Sequence, residues 1–168
     1  MTELPDLLER FRRGAELLAM ATTGAAGAVL DFQPGTAPLT VRQIVCHLAD
    51  AETVNAMRLR QIIAEDNPTM PAFDGNVWAA KLGYEKRKIS QALETFRRLR
   101  ADNYELLKDL PQETFARTGK HTTDGPMTLQ QLVESSATHL EDHVREIQSI
   151  RAAYKEFRAQ QAAGSAQS

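Results

Sequence analysis

Two segments of this chain open with the same kind of signature: Thr40-Val41-Arg42-Gln43 and Thr128-Leu129-Gln130-Gln131, each leading into an apolar repeat of threes and fours. A threonine followed three residues later by glutamine is a capping box, in which hydroxyl and amide each satisfy an orphaned backbone N–H of a helix's first turn. Two long helices must therefore start at Thr40 and Thr128, and the remaining chain has to be arranged around them. Behind the first cap, Val41, Ile44, Val45, Leu48, Ala51, Leu59, Ile62 and Ile63 form one face that ends before Pro68. Behind the second, Leu129, Leu132, Val133, Leu140, Ile147, Ile150, Tyr154 and Phe157 do the same.

Two more segments carry the helical period. Leu4, Leu7, Leu8, Phe11, Ala15 and Leu18 share a stripe over residues 3–21, with Pro5 harmless in the first turn. Ile89, Ala92, Phe96, Leu99, Leu106 and Leu110 share another over 85–110, stopped by Pro111. Residues 31–38 and 112–127 are rich in breakers and read as loops, the second with room for a brief hairpin. A short helical piece over Val77–Leu82 is interrupted by Gly83. No strand pattern of any length appears. The expectation is one all-α domain over 1–158, a four-helix bundle with long connecting loops, and a flexible, fraying tail over 159–168. The connections are too long for pattern alone to fix the order of the helices in space.

Composition excludes several roles. Twenty basic residues against 22 acidic ones give a net charge of -2, and no basic run exceeds Lys86-Arg87-Lys88, so neither nucleic acid nor an anionic membrane is an expected partner. No stretch approaches the roughly 20 apolar residues that cross a bilayer. The acidic start Met1-Thr2-Glu3-Leu4-Pro5-Asp6 does not read as a signal peptide. The single cysteine, Cys46, forms no intramolecular disulfide and suits a reducing, cytoplasmic setting. It precedes His47, but one residue turns about 100° around a helix, so it reads as a small packed hydrophobe.

Position singles out three of the four histidines. His139 and His143 are four apart on the last helix, so both imidazoles lie on one face and can reach one ion. Such a pair alone reads more often as solvated or as ordinary core, and no glutamate directly follows His139 to supply a protease-type general base. His47 adds weight, because it sits beside the inward-facing Ile44, Leu48 and Ala51 of the second helix. Three buried imidazoles without a metal need three separate partners, at about 1–3 kcal/mol for each failure. One shared divalent cation satisfies a nitrogen on every ring. His121 falls in the breaker-rich loop and reads as structural or solvent-facing.

The stretch from Thr40 to Glu52 around His47 resembles the second helix of the DinB/YfiT-like superfamily, and Ser136 to Ile147 is similar to that superfamily's last-helix ligand pair. Pro71–Tyr84 with Trp78, and Gly119-Lys120-His121 through Gly125 and Leu129, resemble its YfiT-like branch in order and spacing. The resemblance implies a four-helix bundle, often a homodimer, that holds a divalent metal, zinc or nickel above others, through His47, His139 and His143. It further implies an enzyme acting on a small-molecule substrate: a thiol S-transferase using a low-molecular-weight thiol, or a metal-dependent hydrolase using water.

Three neutral imidazoles leave at least one position on the ion open, which suits catalysis better than a closed structural site. A bundle that binds metal without chemistry, or whose histidines merely pack, is the remaining alternative. Asp50 and Glu146, three residues after His47 and His143, are candidates to orient the imidazoles. Arg58, eleven residues after His47, lies within about 20° of the same line and roughly 16 Å further along the axis. It reads first as an interhelix salt-bridge partner and second as an anchor for a substrate carboxylate. Trp78 and Tyr84 read as core packing, or as the lining of a pocket.

Overall fold

Both capping boxes form. In the computed structural model, which describes residues 3–35 and 37–166, Thr40 Oγ1 accepts the Gln43 N–H at 3.3 Å and Gln43 Oε1 accepts the Thr40 N–H at 3.0 Å. Thr128 and Gln131 repeat the exchange at 3.1 and 2.9 Å. The long helices are α1 (Leu4–Thr22), α2 (Val41–Ala64), α4 (Ile89–Leu107) and α5 (Leu129–Ser165), with a short α3 (Gly75–Lys81) between the second and third of them. Met1, Thr2, Thr36, Gln167 and Ser168, on which the readings of the N-terminus, the first loop and the tail partly fall, lie outside the described residues.

Several boundaries differ from the sequence reading for local reasons. The third long helix starts at Ile89 rather than Glu85, because Tyr84–Lys86 winds as a tighter 3-10 turn behind Gly83, whose φ of 62° suits glycine. It ends at Leu107, short of Leu110. The short helix begins earlier, at Gly75, because Asp74 Oδ1 caps it by accepting the N–H groups of Asn76 and Val77. The last helix stays helical through Ser165, past the point where a tail was expected to begin, although residues 159–166 are exposed.

A small three-stranded sheet forms where the sequence shows no strand pattern. β1 (Thr69–Met70) pairs in parallel with β2 (Thr118–His121), which pairs antiparallel with β3 (Gly125–Thr128). Its β2–β3 part is the brief hairpin for which the 112–127 loop has room. Strands of two to four residues are too short to show an alternating pattern. β3 ends on the threonine that caps α5, so the sheet fixes where the last helix begins. Beyond β1, Thr122 Oγ1 accepts the Ala72 N–H at 2.8 Å and holds the segment that follows.

Around the bundle, α1 packs against α4 and α5, and α2 against the same two. Helices adjacent in sequence, α1 with α2 and α4 with α5, therefore face each other across diagonals, which the long connections allow. The core is split into two apolar clusters, one holding Leu18, Leu48, Phe96 and Leu140, the other Phe11, Leu59, Leu107 and Val133.

Between the clusters, at one level on all four long helices, lies a buried polar layer. Arg100 and Glu52 are each 1% exposed. The guanidinium donates to both Glu52 carboxylate oxygens at 3.0 and 2.8 Å, to Ser136 Oγ at 3.1 Å and to the Phe11 carbonyl at 3.0 Å. Asn103 Nδ2 donates to Glu52 Oε1 at 2.9 Å. The Phe11 and Phe96 rings lie 4.0 and 4.8 Å from Arg100 Cζ, giving the cation two aromatic faces. Gly14 makes the room, since a Cβ there would stand 2.6 Å from Arg100 Nη1 and 2.4 Å from Leu140 Cδ2.

Candidate metal centre

The helical spacing of four stacks His139 and His143 on α5, with ring centroids 4.6 Å apart. From α2, His47 faces both, with centroids at 5.0 Å from each. The three ring planes meet at 73–85° to one another, so their edges converge instead of stacking. His139 Nε2 lies 3.0 Å from His47 Nε2 and 3.1 Å from His143 Nε2. A tetrahedral ion bound at ~2.0–2.1 Å sets its nitrogen ligands roughly 3.3 Å apart, close to this spacing. No fourth His, Cys, Asp or Glu among the described residues joins the group. The donor set thus fits a divalent transition metal with open positions, and the residues that would hold it are the three named from the sequence.

Burial, and then the charge of the facing histidine, pushes the pKa of His47 down to about 4. The same causes, joined by His47, lower His139 to about 4. Both rings stay neutral near pH 7, the form a metal requires. Between pH 6.5 and about 4 the unfolded chain takes up protons on these rings that the metal-free fold does not. Stability of the metal-free protein should therefore fall as pH drops through that window, with the loss complete only below about 4. Urea midpoints measured at pH 7 and pH 5 in chelator check it: His47→Ala should show a smaller drop than wild type, and equal midpoints in wild type would contradict it.

The two candidate orienting carboxylates separate. Glu146 Oε2 sits 3.0 Å from His143 Nδ1, placed to accept its N–H and leave Nε2 as the ligand. Asp50 is not on His47. Its carboxylate accepts the Tyr84 O–H at 2.7 Å and Arg87 Nη1 at 2.9–3.0 Å, both charge-assisted bonds that engage its two oxygens. His47 Nδ1 is buried without a hydrogen-bond partner, and the ring packs against Gly75, which leaves it room. A Cβ at Gly75 would come within 3.0 Å of the imidazole Cε1. Glu146→Gln should weaken metal binding by about 10–100-fold, whereas Asp50→Asn should leave it nearly unchanged. Competition against a chromogenic chelator measures both, and equal effects would contradict the assignment.

The other singled-out residues fall as follows. His121 is buried on β2, where Nδ1 accepts the Asp124 N–H at 3.1 Å, so its role is structural. Cys46 is fully buried, with Sγ 3.9 Å from the Tyr84 carbonyl, and burial pushes its thiol pKa up. Tyr84 is core, and Trp78 packs on Phe73 with centroids 4.6 Å apart. Arg58 makes no salt bridge among the described residues; it is 8% exposed and donates Nη2 to the Pro71 carbonyl at 2.5 Å. It opens onto a cavity of about 200 Å³ that also takes in His47, His139, Asn55, Phe73 and Ser136. A larger groove of about 600 Å³ runs past Asp142, Arg145 and Glu146 but is lined by none of the three histidines, so the smaller cavity is the one joined to the chemistry. Phe73, whose ring centroid lies 6.2 Å from that of His47, carries no signal in the sequence, since a lone aromatic in the loop after Pro71 has no periodic partner.

The family model described as the DinB superfamily matches residues 10–147. A protein of Oceanobacillus iheyensis named "Putative metal-dependent hydrolase" is 32% identical over 111 residues, 66% of this chain and 64% of its own. One of the same name from Halalkalibacterium halodurans is 29% identical over 108 residues, 64% of this chain and 63% of its own. The chain thus spans slightly less than two thirds of these relatives. A solved structure, YfiT from Bacillus subtilis, described as "a probable metal-dependent hydrolase with an unusual four-helix bundle topology", superposes with a TM-score of 0.85 at 21% identity. It covers 92% of this chain and 91% of its own, which shows a shared fold. No helix of the described residues is long and apolar enough to cross a membrane.

Proposed function

This chain belongs to the DinB superfamily, and from that premise we propose that it is a divalent-metal-dependent enzyme that joins a low-molecular-weight thiol to an electrophilic small molecule. The observation that carries the reading is the donor set: His47, His139 and His143 converge, and no carboxylate or thiolate of the described residues closes the centre. When bound, the ion supplies a Lewis-acidic position at which a thiol or a water loses its proton more readily. Zinc and nickel both suit three imidazoles.

What the protein contributes beside that position favours the thiol. The cavity offers Asn55, Arg58, Ser135 and Ser136 as polar groups and no Asp or Glu. No carboxyl group there can hand a proton to the alkoxide or amine that hydrolysis must expel. A thiolate that displaces a stable anion such as halide needs no such donor. The volume, about 200 Å³, suits a small molecule. Hydrolysis is the second reading, favoured by the names of the relatives.

The test is a conjugation assay on untagged, metal-loaded protein with a panel of small thiols and a fluorogenic haloalkyl or bimane electrophile. The proposal expects product that depends on thiol, protein and metal together, and none above background after chelation. Turnover of ester or amide substrates with no thiol present would overturn the transferase in favour of the hydrolase. No product with either substrate class from fully loaded protein would overturn both.

A further inference from the structure

Beside the three histidines the fold keeps a cation with almost nothing to do. Arg58 is more than nine-tenths buried, yet only Nη2, on the Pro71 carbonyl, has a hydrogen-bond acceptor; Nε is buried and unpartnered. An arginine does not shed its charge to ease that burial, although burial lowers its pKa. Buried guanidinium groups are normally paired, as Arg100 is with Glu52 in this same bundle. The contrast between two buried arginines, one fully satisfied and one left open on a cavity, asks for a reason.

The surroundings of Arg58 supply one. Its guanidinium lines the same cavity as His47 and His139. Phe73 bridges the two ends, its ring 6.2 Å from the His47 ring and 6.0 Å from Arg58 Cζ. The fixed point is the Pro71 carbonyl, which follows directly on β1, so the sheet holds the guanidinium's aim. Asn55, one turn nearer the histidines on α2, adds an amide on the same wall. An unpaired planar donor at one end, an aromatic wall between, and a metal position at the other end recognise a short molecule with a carboxylate at one terminus.

We propose that Arg58 is the binding group for a carboxylate of the molecule that reacts at the three-histidine centre. The inference rests on the metal-centre reading above and adds the substrate class: a small carboxylic acid, held by charge-assisted N–H···O bonds. Two molecules can bring that carboxylate, the electrophile or the thiol.

The test is calorimetric titration of metal-loaded protein with three probes: glutarate, 4-mercaptobutyrate and the uncharged 4-mercapto-1-butanol. Wild type, Arg58→Met and Arg58→Lys are compared, with metal content and melting temperature recorded for each. The proposal expects carboxylate probes to bind wild type and to lose tenfold or more in affinity in Arg58→Met. Arg58→Lys should recover part of the loss, and the uncharged thiol should bind all three alike. All variants should keep the metal content of wild type, since Arg58 holds no ligand. Tighter binding of mercaptobutyrate than of either other probe supports the thiol as the carrier, and glutarate binding alone supports the electrophile. Equal affinity of the carboxylates for wild type and Arg58→Met, or no carboxylate binding to loaded wild type, overturns the proposal and leaves the metal centre standing. Failure of wild type to retain metal defeats the centre itself, a separate result.

Discussion

Alanine in place of His47, His139 or His143 should abolish stoichiometric metal binding, each substitution costing more affinity than the roughly 10–100-fold that follows loss of a mere supporting partner. The reason is geometric. With the three Nε2 atoms linked by contacts of 3.0 and 3.1 Å and no fourth protein donor in the group, two imidazoles remain after any single change. Two nitrogens cannot hold an ion against solvent and chelators as three do. The loss should also appear in stability, because a ligand that binds only the folded state raises the unfolding free energy by about 2.7 kcal/mol at a hundredfold excess over its Kd. Adding metal should therefore raise the melting temperature of the wild type and leave the three alanine variants unmoved. An alanine variant that keeps the full wild-type metal content would contradict the assignment of that histidine.

Glu52→Gln should be among the most destabilising single changes in the chain, costing about 3–5 kcal/mol, because it leaves Arg100 charged, buried and without its counter-ion. For a domain of this size that corresponds to a fall in melting temperature of roughly 10 °C. The Coulombic attraction is not the main issue. What matters is that Arg100 is 1% exposed and that, among the described residues, Glu52 alone gives it a carboxylate. Removing both charges together, as Glu52→Leu with Arg100→Met, should recover most of the loss, since two apolar side chains of similar volume fill the layer between the two clusters. A double variant as unstable as the sum of the two single ones would contradict this account. Because Ser136 accepts from Arg100 and lies one turn before His139, Glu52→Gln should also loosen metal binding, by less than any histidine change.

The sequence discloses these features unequally. The capping boxes, the four apolar stripes and the spacing of His139 and His143 are local signals, carried by residues three and four apart, and the structure follows them closely. The polar layer is different. Glu52 sits on the stripe with Val45, Leu48 and Leu59, Arg100 with Phe96 and Leu107, and Gly14 between Phe11 and Leu18. Two charged residues and a glycine at inward positions are the visible trace, but only the arrangement of four helices reveals that they meet. The diagonal placement of consecutive helices likewise depends on loops whose course no periodicity encodes. Asp50 and Glu146 make the same point at the site: equal spacing from a histidine promised equal roles, and Arg87 and Tyr84, far away in sequence, took one carboxylate for themselves. Arg58 lines the cavity beside His47, but that it forms no salt bridge among the described residues can be read only from the folded chain.

The most direct measurement is X-ray absorption at the metal edge of untagged protein loaded with zinc or nickel. Three imidazole nitrogens at ~2.0–2.1 Å from one ion, with the remaining scatterers light and exchangeable, is the predicted result. A spectrum with no more than one ring-nitrogen scatterer, or one unchanged by His47→Ala, would contradict the centre on which the functional reading stands.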